Sequence, residues 1–590
     1  MMDTRRTILW IVFSVSLFMI WDNWQRFNGR ASMFGPPVAV QPAAPGSAPH
    51  APTNDVPTAS TTPNSVPTEG TAGAAVGAGP STPATATSAT TPVKGERVSI
   101  HTDLLAVDLN TLGAAVDRVE LTDYRDSADS KQNFVLLDQT PGYFYVAQTG
   151  LVGAPAGNAA SSTTTASTAT ASTATFPTHR TPFTVVAGPR TLESGQDALS
   201  VAFEAQSGGV KLTKTYTFHR GTYEIDVRHA VTNLAEQPIA PQLYLQLVRD
   251  DKTPAGGSRF YSTYFGPAVY SDAQRFQKVS FEDITKGKAP DKHIAHADDG
   301  WVAMLQHYFV SAWIPAAGPR DYYTDKLDAD LFRVGLREPL GSIAPGATAT
   351  NDARLYVGPA IERRLETVAP GLELVRDYGW TTILAKPMFW VLEKIHLLIG
   401  NWGWSIIVLT IGIKLVFFPL SAASYKSMAR MKNVAPRMKE LQDRHKDDRA
   451  KLNTAMMELY KVEKVNPAGG CLPIVIQIPF FIALYSVLLA SVEVRGAPWL
   501  GWIHDLAAPD PFYILPVIMM ASMFVQFKLN PPPPDPTQAK IMMIMPLVFG
   551  VTFFFFPAGL VLYWVVNNLL SIAQQWQITR MMGDRKKKSA

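Results

Sequence analysis

The residue best placed to do chemistry in this chain is Lys414, which lies within the apolar run WGWSIIVLTIGIKLVFFPLSAAS. An ammonium in hydrocarbon attracts anions far more strongly than one in water, because little solvent screens it. Counted from Trp402, Lys414 lies roughly 18 Å along a helix, and the next basic residue, Lys426, lies about as far again. A bilayer core is about 30 Å thick, so neither helix end carries the charge to a headgroup. Holding it there costs on the order of 2.5–3.5 kcal/mol. The usual relief is an acidic partner. Yet CLPIVIQIPFFIALYSVLLAS, FYILPVIMMASMFVQF and IMMIMPLVFGVTFFFFPAGLVLYWVVNNLLSIAQQWQ contain no Asp or Glu. The cation is therefore expected to face water inside a membrane. The bland alternative is a tilted helix whose lysine stem snorkels without functional meaning.

Other chemistry is sparse. His219, His229, His293, His296 and His307 could serve a carbohydrate enzyme as acids and bases, but no compact acid/His motif accompanies them. The single cysteine, Cys471, excludes an intramolecular disulfide and a Cys-based metal site. No Gly-x-x-x-x-Gly-Lys-Ser/Thr loop occurs, so the chain has no P-loop ATPase. No metal, catalytic residue or cofactor is expected.

The elements that must position Lys414 follow from composition. The chain of 590 residues is 47% hydrophobic and 17% charged, averages that conceal a soluble stretch from about Arg30 to Val375 and a membrane stretch from Pro387 to Arg580. MMDTRR followed by TILWIVFSVSLFMIW has the layout of a signal peptide without a small-x-small cleavage site, which predicts an uncleaved anchor over residues 1–29. Residues 30–92 are Pro, Ala, Thr, Ser and Gly with almost no charge or aromatic residue, the composition of a flexible tether. A similar insert is expected at about 152–176.

Between them, period-2 patterns predict an all-β domain over 93–375. Val210, Leu212, Tyr216 and Phe218 share one face, His219-Arg220-Gly221 turns the chain, and Tyr223, Ile225, Val227 and Val231 continue the alternation. Leu243, Leu245 and Leu247 alternate again, and the whole reads as an antiparallel two-sheet sandwich. Residues 376–400 carry Phe389, Leu392 and either Ile395 or Leu397 on one stripe, with Glu393, Lys394 and His396 interrupting it, which suits an interfacial amphipathic helix.

Five spans are then expected over 401–580: Trp402 to Ala422, Cys471 to Ser491, Phe512 to Phe527, and two within Ile541 to Gln574, divided at Phe556-Pro557-Ala558-Gly559. With the anchor these make six. Tyr425 to Lys464 holds eleven Lys/Arg against six acids, and the tail 581–590 is basic, so both are expected in the cytoplasm and the β domain outside it. Within 423–465, Met428, Met431, Val434, Met438 and Leu441 match Leu452, Met456, Leu459 and Tyr460 as the two stripes of a helical hairpin. Two readings of that Met-rich stripe stand side by side: an adaptable surface for apolar segments, or a coiled-coil seam.

Three runs in order, YKVEKVNPAGGCLPIVIQIPFFIALY, APWLGWIHDLAAPDPFYILP and FFPAGLVLYWVVNNLLSIAQQWQITR, resemble the YidC/Oxa/Alb family of membrane protein insertases over about Trp380 to Arg580. The preceding domain resembles the periplasmic β-supersandwich of Gram-negative bacterial members. The resemblance implies a hydrophilic groove holding one essential basic residue, here Lys414, where most members carry Arg. Lysine keeps the charge but loses the bidentate fork. It also implies substrate contact at Thr410 and an aromatic pair at Tyr563 and Trp564, the second usually Tyr. Gln477, Asn567 and Asn568 are polar and embedded, which suits either groove lining or hydrogen bonding between helices.

Tyr425, Asp535 and the tail residues Arg585, Lys586, Lys587 and Lys588 are implied ribosome contacts, although the PPPP run before Asp535 departs from the family pattern. Implied partners are nascent membrane proteins, the ribosome, the Sec translocon with its accessory subunits, and lipids, but not DNA. The rivals from other classes are a small-solute transporter, against which no internal repeat is found, and the tethered carbohydrate enzyme.

Overall fold

The computed structural model describes residues 56–57 and 95–589, apart from 127–128, 130, 154–175, 253–262, 329, 446–447, 464–471 and 530–535. The expected anchor, nearly all of the tether, the insert at 154–175 and Asp535 fall outside the described residues.

The period-2 segments form strands as expected. Val210–His219 buries every second residue, turns through Gly221 at φ +73°, and pairs with Glu224–Asn233 in a register that sets Phe218 opposite Ile225. Pro241–Asp250 buries both faces and lies between Tyr143–Gly153 and Leu331–Pro339 at the heart of one sheet. Thr348–Pro359 lies between Glu224–Asn233 and Phe309–Pro315 in the other. Among the described residues each sheet has nine strands, and every pairing between these strands is antiparallel. The inner faces meet over a continuous core that holds Trp301, Trp313, Tyr216 and Phe203. Two short helices, α1 (Phe281–Thr285) and α2 (Glu362–Val368), complete the domain, and Leu365 and Val368 of α2 join its core.

The remaining helices are α3 (Thr382–Ile399), α4 (Trp402–Val416), α5 (Phe418–Arg444), α6 (Arg449–Val462), α7 (Leu472–Ala490), α8 (Ile514–Leu529), α9 (Pro536–Phe553) and α10 (Ala558–Ser589). Helix α3 ends on Gly400, whose φ of +73° suits a residue without a Cβ. It buries Ala385, Met388, Phe389 and Leu392 but exposes Ile383, Trp390, Leu397 and Leu398, so it is apolar on both sides. Residues 376–381 are short 3-10 turns and bends rather than part of the expected helix.

Two expected boundaries move. The run from Trp402 to Ala422 is not one straight helix, because it bends by 67° between α4 and α5. Pro419 lacks the N–H that would continue the ladder to Leu415. Beyond the bend no border exists at 422/423, since α5 runs unbroken from Phe418 into the hairpin. The divided last segment agrees with the expected break, and α9 stops at Phe553 while α10 starts at Ala558. Counting described residues only, no single helix is long and apolar enough to cross a membrane, though the bent pair Trp402–Val416 plus Phe418–Met431 is.

In the hairpin, Val434 and Met438 are buried against Met431, Met456, Leu459 and Tyr460. The Met stripe is therefore a seam between α5 and α6.

The β domain and the bundle are joined by the loop after α7. Val492 belongs to the sandwich core. Arg376 donates to Glu493 at 2.8 Å and to Ser491 Oγ at 2.5 Å, and its guanidinium lies 3.9 Å from the Phe389 ring. Arg495 donates to the Arg125 carbonyl at 2.8 Å. Burial raises the Glu493 carboxyl above its ordinary range, opposed by Arg376.

Candidate groove around Lys414

Helix α4 is laid down with its polarity reversed. Asn401 caps it by accepting from Trp404 N–H, and Nδ2 of the same side chain donates to the Pro498 carbonyl, tying the helix start to the loop after α7. Gly403 lets Trp499 pack against the backbone, where a Cβ would meet the indole at 2.2 Å. From there Ser405, Thr410 and Lys414 turn inward, while Val408, Ile411, Leu415 and Val416 face out. Lys414 is 5% exposed and Val416 74% exposed. An aqueous surface would select the opposite arrangement.

Because α4 stops at Val416, Lys414 occupies its last turn. The partial negative charge of the helix C-terminus lies beside the ammonium and offsets part of its desolvation. Among the described residues Lys414 forms no ion pair. Nζ instead donates to Ser571 Oγ on α10 at 2.8 Å, and Ser571 Oγ donates to the Asn567 carbonyl at 2.7 Å. The Tyr425 side chain, on α5 past the bend, comes within reach of the same Ser571 hydroxyl. Ser421 and Ser424 of α5 are also buried.

The other expected positions separate into groups. Thr410 is 1% exposed, and its hydroxyl donates to the Ile406 carbonyl of its own helix, so it lines the interior without presenting a free donor. Asn568 donates to Ser522 Oγ on α8 at 3.3 Å, which is hydrogen bonding between helices. Nearby, Gln526 donates to Gln575 at 2.9 Å. Asn567 and Gln477 are half-buried.

Tyr563 and Trp564 belong to an aromatic cluster rather than to the polar strip. Phe481 stacks on Trp564 at 4.6 Å, Phe553 meets Trp564 edge-on at 4.1 Å, and Tyr563 is buried. Arg585, Lys586, Lys587 and Lys588 fall on the final turns of α10, with side chains outside the described residues. The sequence reading missed Ser571, Ser522, Gln526 and Gln575. A signal existed: Asn567, Ser571 and Gln575 recur every four residues, which sets them on one face of α10.

The five candidate histidines of the β domain, His219, His229, His293, His296 and His307, do not converge. His219 meets Asp226, His293 meets Thr324, His296 meets Asp321, His229 meets Thr149 and His307 meets the Leu489 carbonyl. Two of the buried bases that are shifted far from their ordinary values are neighbours, Lys214 and His229. Lys214, bonded to the Gly113 and Thr149 carbonyls, is pushed down to about 7 by burial. His229 is pushed down to about 3 by burial and then by Lys214. No His/Cys/Asp/Glu group among the described residues has the arrangement of a metal site.

An antiparallel β domain packed on a helical bundle that hides a cation and displays aliphatic side chains defines the two-part class of this protein. Residues 97–391 match the family model described as the YidC periplasmic domain, and residues 394–586 match that of the 60Kd inner membrane protein. The chain is 55% identical over 587 residues to the membrane protein insertase YidC of Cupriavidus metallidurans, covering 99% of each. It is 53% identical over 598 residues to that of Ralstonia nicotianae, covering 100% of each.

Among solved structures, an active YidC insertase is matched at TM-score 0.37 and 17% identity, covering 82% of this chain and 93% of the other. A galactose mutarotase related enzyme from Lactobacillus acidophilus is matched at TM-score 0.28 and 9% identity, covering 44% and 97%. At these scores neither likeness bears on activity. The chain belongs to the YidC family of membrane protein insertases. With that, the carbohydrate-enzyme and transporter alternatives are set aside.

Proposed function

We propose that this protein is an insertase that moves segments of nascent membrane proteins from the cytoplasm into the inner membrane, alone or with the Sec translocon, through a cationic groove around Lys414. The observation that carries the reading is the reversed polarity of α4, which has a covered ammonium inside and Val408, Ile411, Leu415 and Val416 outside. Such a surface is stable only where the solvent is apolar.

The mechanism is thermodynamic. Each central Leu, Ile, Phe or Val of an incoming helix already favours lipid by roughly 0.3–0.6 kcal/mol. What resists is the polar flank that must cross. The buried polar row of Lys414, Ser571 and Gln575 offers that flank partners part-way, and Lys414 draws its acidic residues by point charge. The membrane potential assists an acidic flank moving outward. The apolar segment then leaves sideways along α7 and α9.

In this reading the five core spans and the anchor make six crossings, with α3 lying in the interface. Both termini and the α5–α6 hairpin are cytoplasmic, and residues 93–375 are periplasmic. The basic hairpin and tail suit the ribosome and lipid headgroups.

The test is a photoreactive residue at Asn567, half-buried one turn from Ser571, in vesicles given ribosomes stalled on a short membrane protein. Adducts to the nascent apolar segment, weakened by Lys414→Ala, are expected. Adducts to lipid alone, with the chain caught elsewhere, would sink the groove mechanism.

A further inference from the structure

We propose that Ser571 is the positioning residue of Lys414: its hydroxyl pins one N–H of the ammonium and leaves the other two for a carboxylate on the passing segment. The proposal rests on the insertase reading above. The direction of the chain of bonds is forced. An ammonium has three donors and no lone pair, so Ser571 Oγ accepts from Lys414 Nζ at 2.8 Å. Its single proton then goes to the Asn567 carbonyl, one turn earlier on the same helix, at 2.7 Å. Each bond polarises the next in a covered site.

The neutrality of this partner is the functional point. A long lysine stem is free to snorkel, and Ser571 holds it inside the bundle against that freedom. A carboxylate in the same place would hold it as well, but would cancel the charge and leave no attraction for a guest. The surroundings fit this role. Lys414 has no acidic partner among the described residues, and the side chain that shares the Ser571 hydroxyl with it is the neutral Tyr425. Ser571 is on α10 and Lys414 on α4, 157 residues apart, so the bond also records the packing of those two helices.

The experiment uses the full chain in vesicles of phosphatidylethanolamine and phosphatidylglycerol. Its substrates are two single-span proteins that differ only in two Asp or two Asn in the translocated flank. The readout is the ratio of their insertion rates. Ser571→Ala is expected to lower the acidic-over-neutral ratio about tenfold, the weight of one hydrogen bond to a charged group. Ser571→Thr, which keeps the hydroxyl, restores the ratio, and Ser571→Asp abolishes the preference.

A merely structural serine would slow both substrates equally and leave the ratio alone. That result in Ser571→Ala, with the ratio lost in Lys414→Ala, overturns this proposal and spares the groove. A ratio unchanged in Lys414→Ala overturns the groove reading itself. Should Ser571→Ala not fold, the comparison of Thr with Asp decides: equal ratios in those two variants refute the positioning role.

Discussion

A buried ammonium is tolerated in this protein because three small contributions replace one carboxylate. The C-terminal turn of α4, the Ser571 hydroxyl and the polar strip on α5 and α10 each relieve part of its desolvation. None neutralises it. Burying a charge without an ionic partner costs free energy that an apolar side chain of similar volume does not incur. Lys414→Leu is accordingly expected to keep or raise the thermal midpoint of the detergent-solubilised protein while losing insertion of acidic-flanked substrates. A fall in both would mean that the lysine is structural.

In the sandwich, His229 makes a second case. Its folded-state proton affinity is depressed to about 3 from an ordinary 6.5, so the unfolded chain binds more protons between those values. Stability from this group is complete above about 6.5 and is lost as pH falls toward 3. Hydrogen exchange of Val210–His219 and Glu224–Asn233, corrected for intrinsic rate, should show protection falling over that window. His229→Gln should flatten the slope, and an unchanged slope would refute the assignment.

At the level of elements, the loop after α7 is the hinge pin between sandwich and bundle. Val492 completes the sandwich core, while Arg376 and Glu493 pair beneath it. Removing one partner of a buried pair strands the other charge and costs about 3–5 kcal/mol, whereas replacing both costs far less. Arg376→Met should therefore expose the 491–495 loop to protease, and Arg376→Met with Glu493→Leu should recover most of the protection. Equal sensitivity of single and double variants would show that the pair is not what holds the junction. The α5–α6 seam follows the same logic of ordinary packing, with Val434 and Met438 filling it.

Across the whole molecule, the two parts carry separate tasks. The polar bonds around Lys414 link α4, α8 and α10, and among the described residues none of these bonds involves the sandwich. Deleting Gly95 to Thr367 is expected to leave insertion largely intact in reconstituted vesicles, with lower stability from the uncovered Val492. Abolition of insertion in a variant shown to fold would place part of the activity in the sandwich.

Much of this was legible in the chain because half-buried strands and embedded charges leave local marks. The alternation at Val210–Phe218 and Tyr223–Val231, the break at Phe556-Pro557 and the isolation of Lys414 each need only neighbouring residues to be seen. Pro419 was visible as well, but whether a proline ends, bends or merely interrupts a helix depends on what packs around it. Ser571 was marked as one of a polar row on α10, but its partner was out of reach for a different reason. A serine on an apolar helix has many acceptors, and only the packing of α4 against α10 brings this one to the ammonium. The same holds for Asn568 on Ser522 and for Val492 in the sandwich core. Periodicity is a property of the nearby chain, whereas the choice of partner for a buried polar group is made across it, by which helices and sheets come to share an interior.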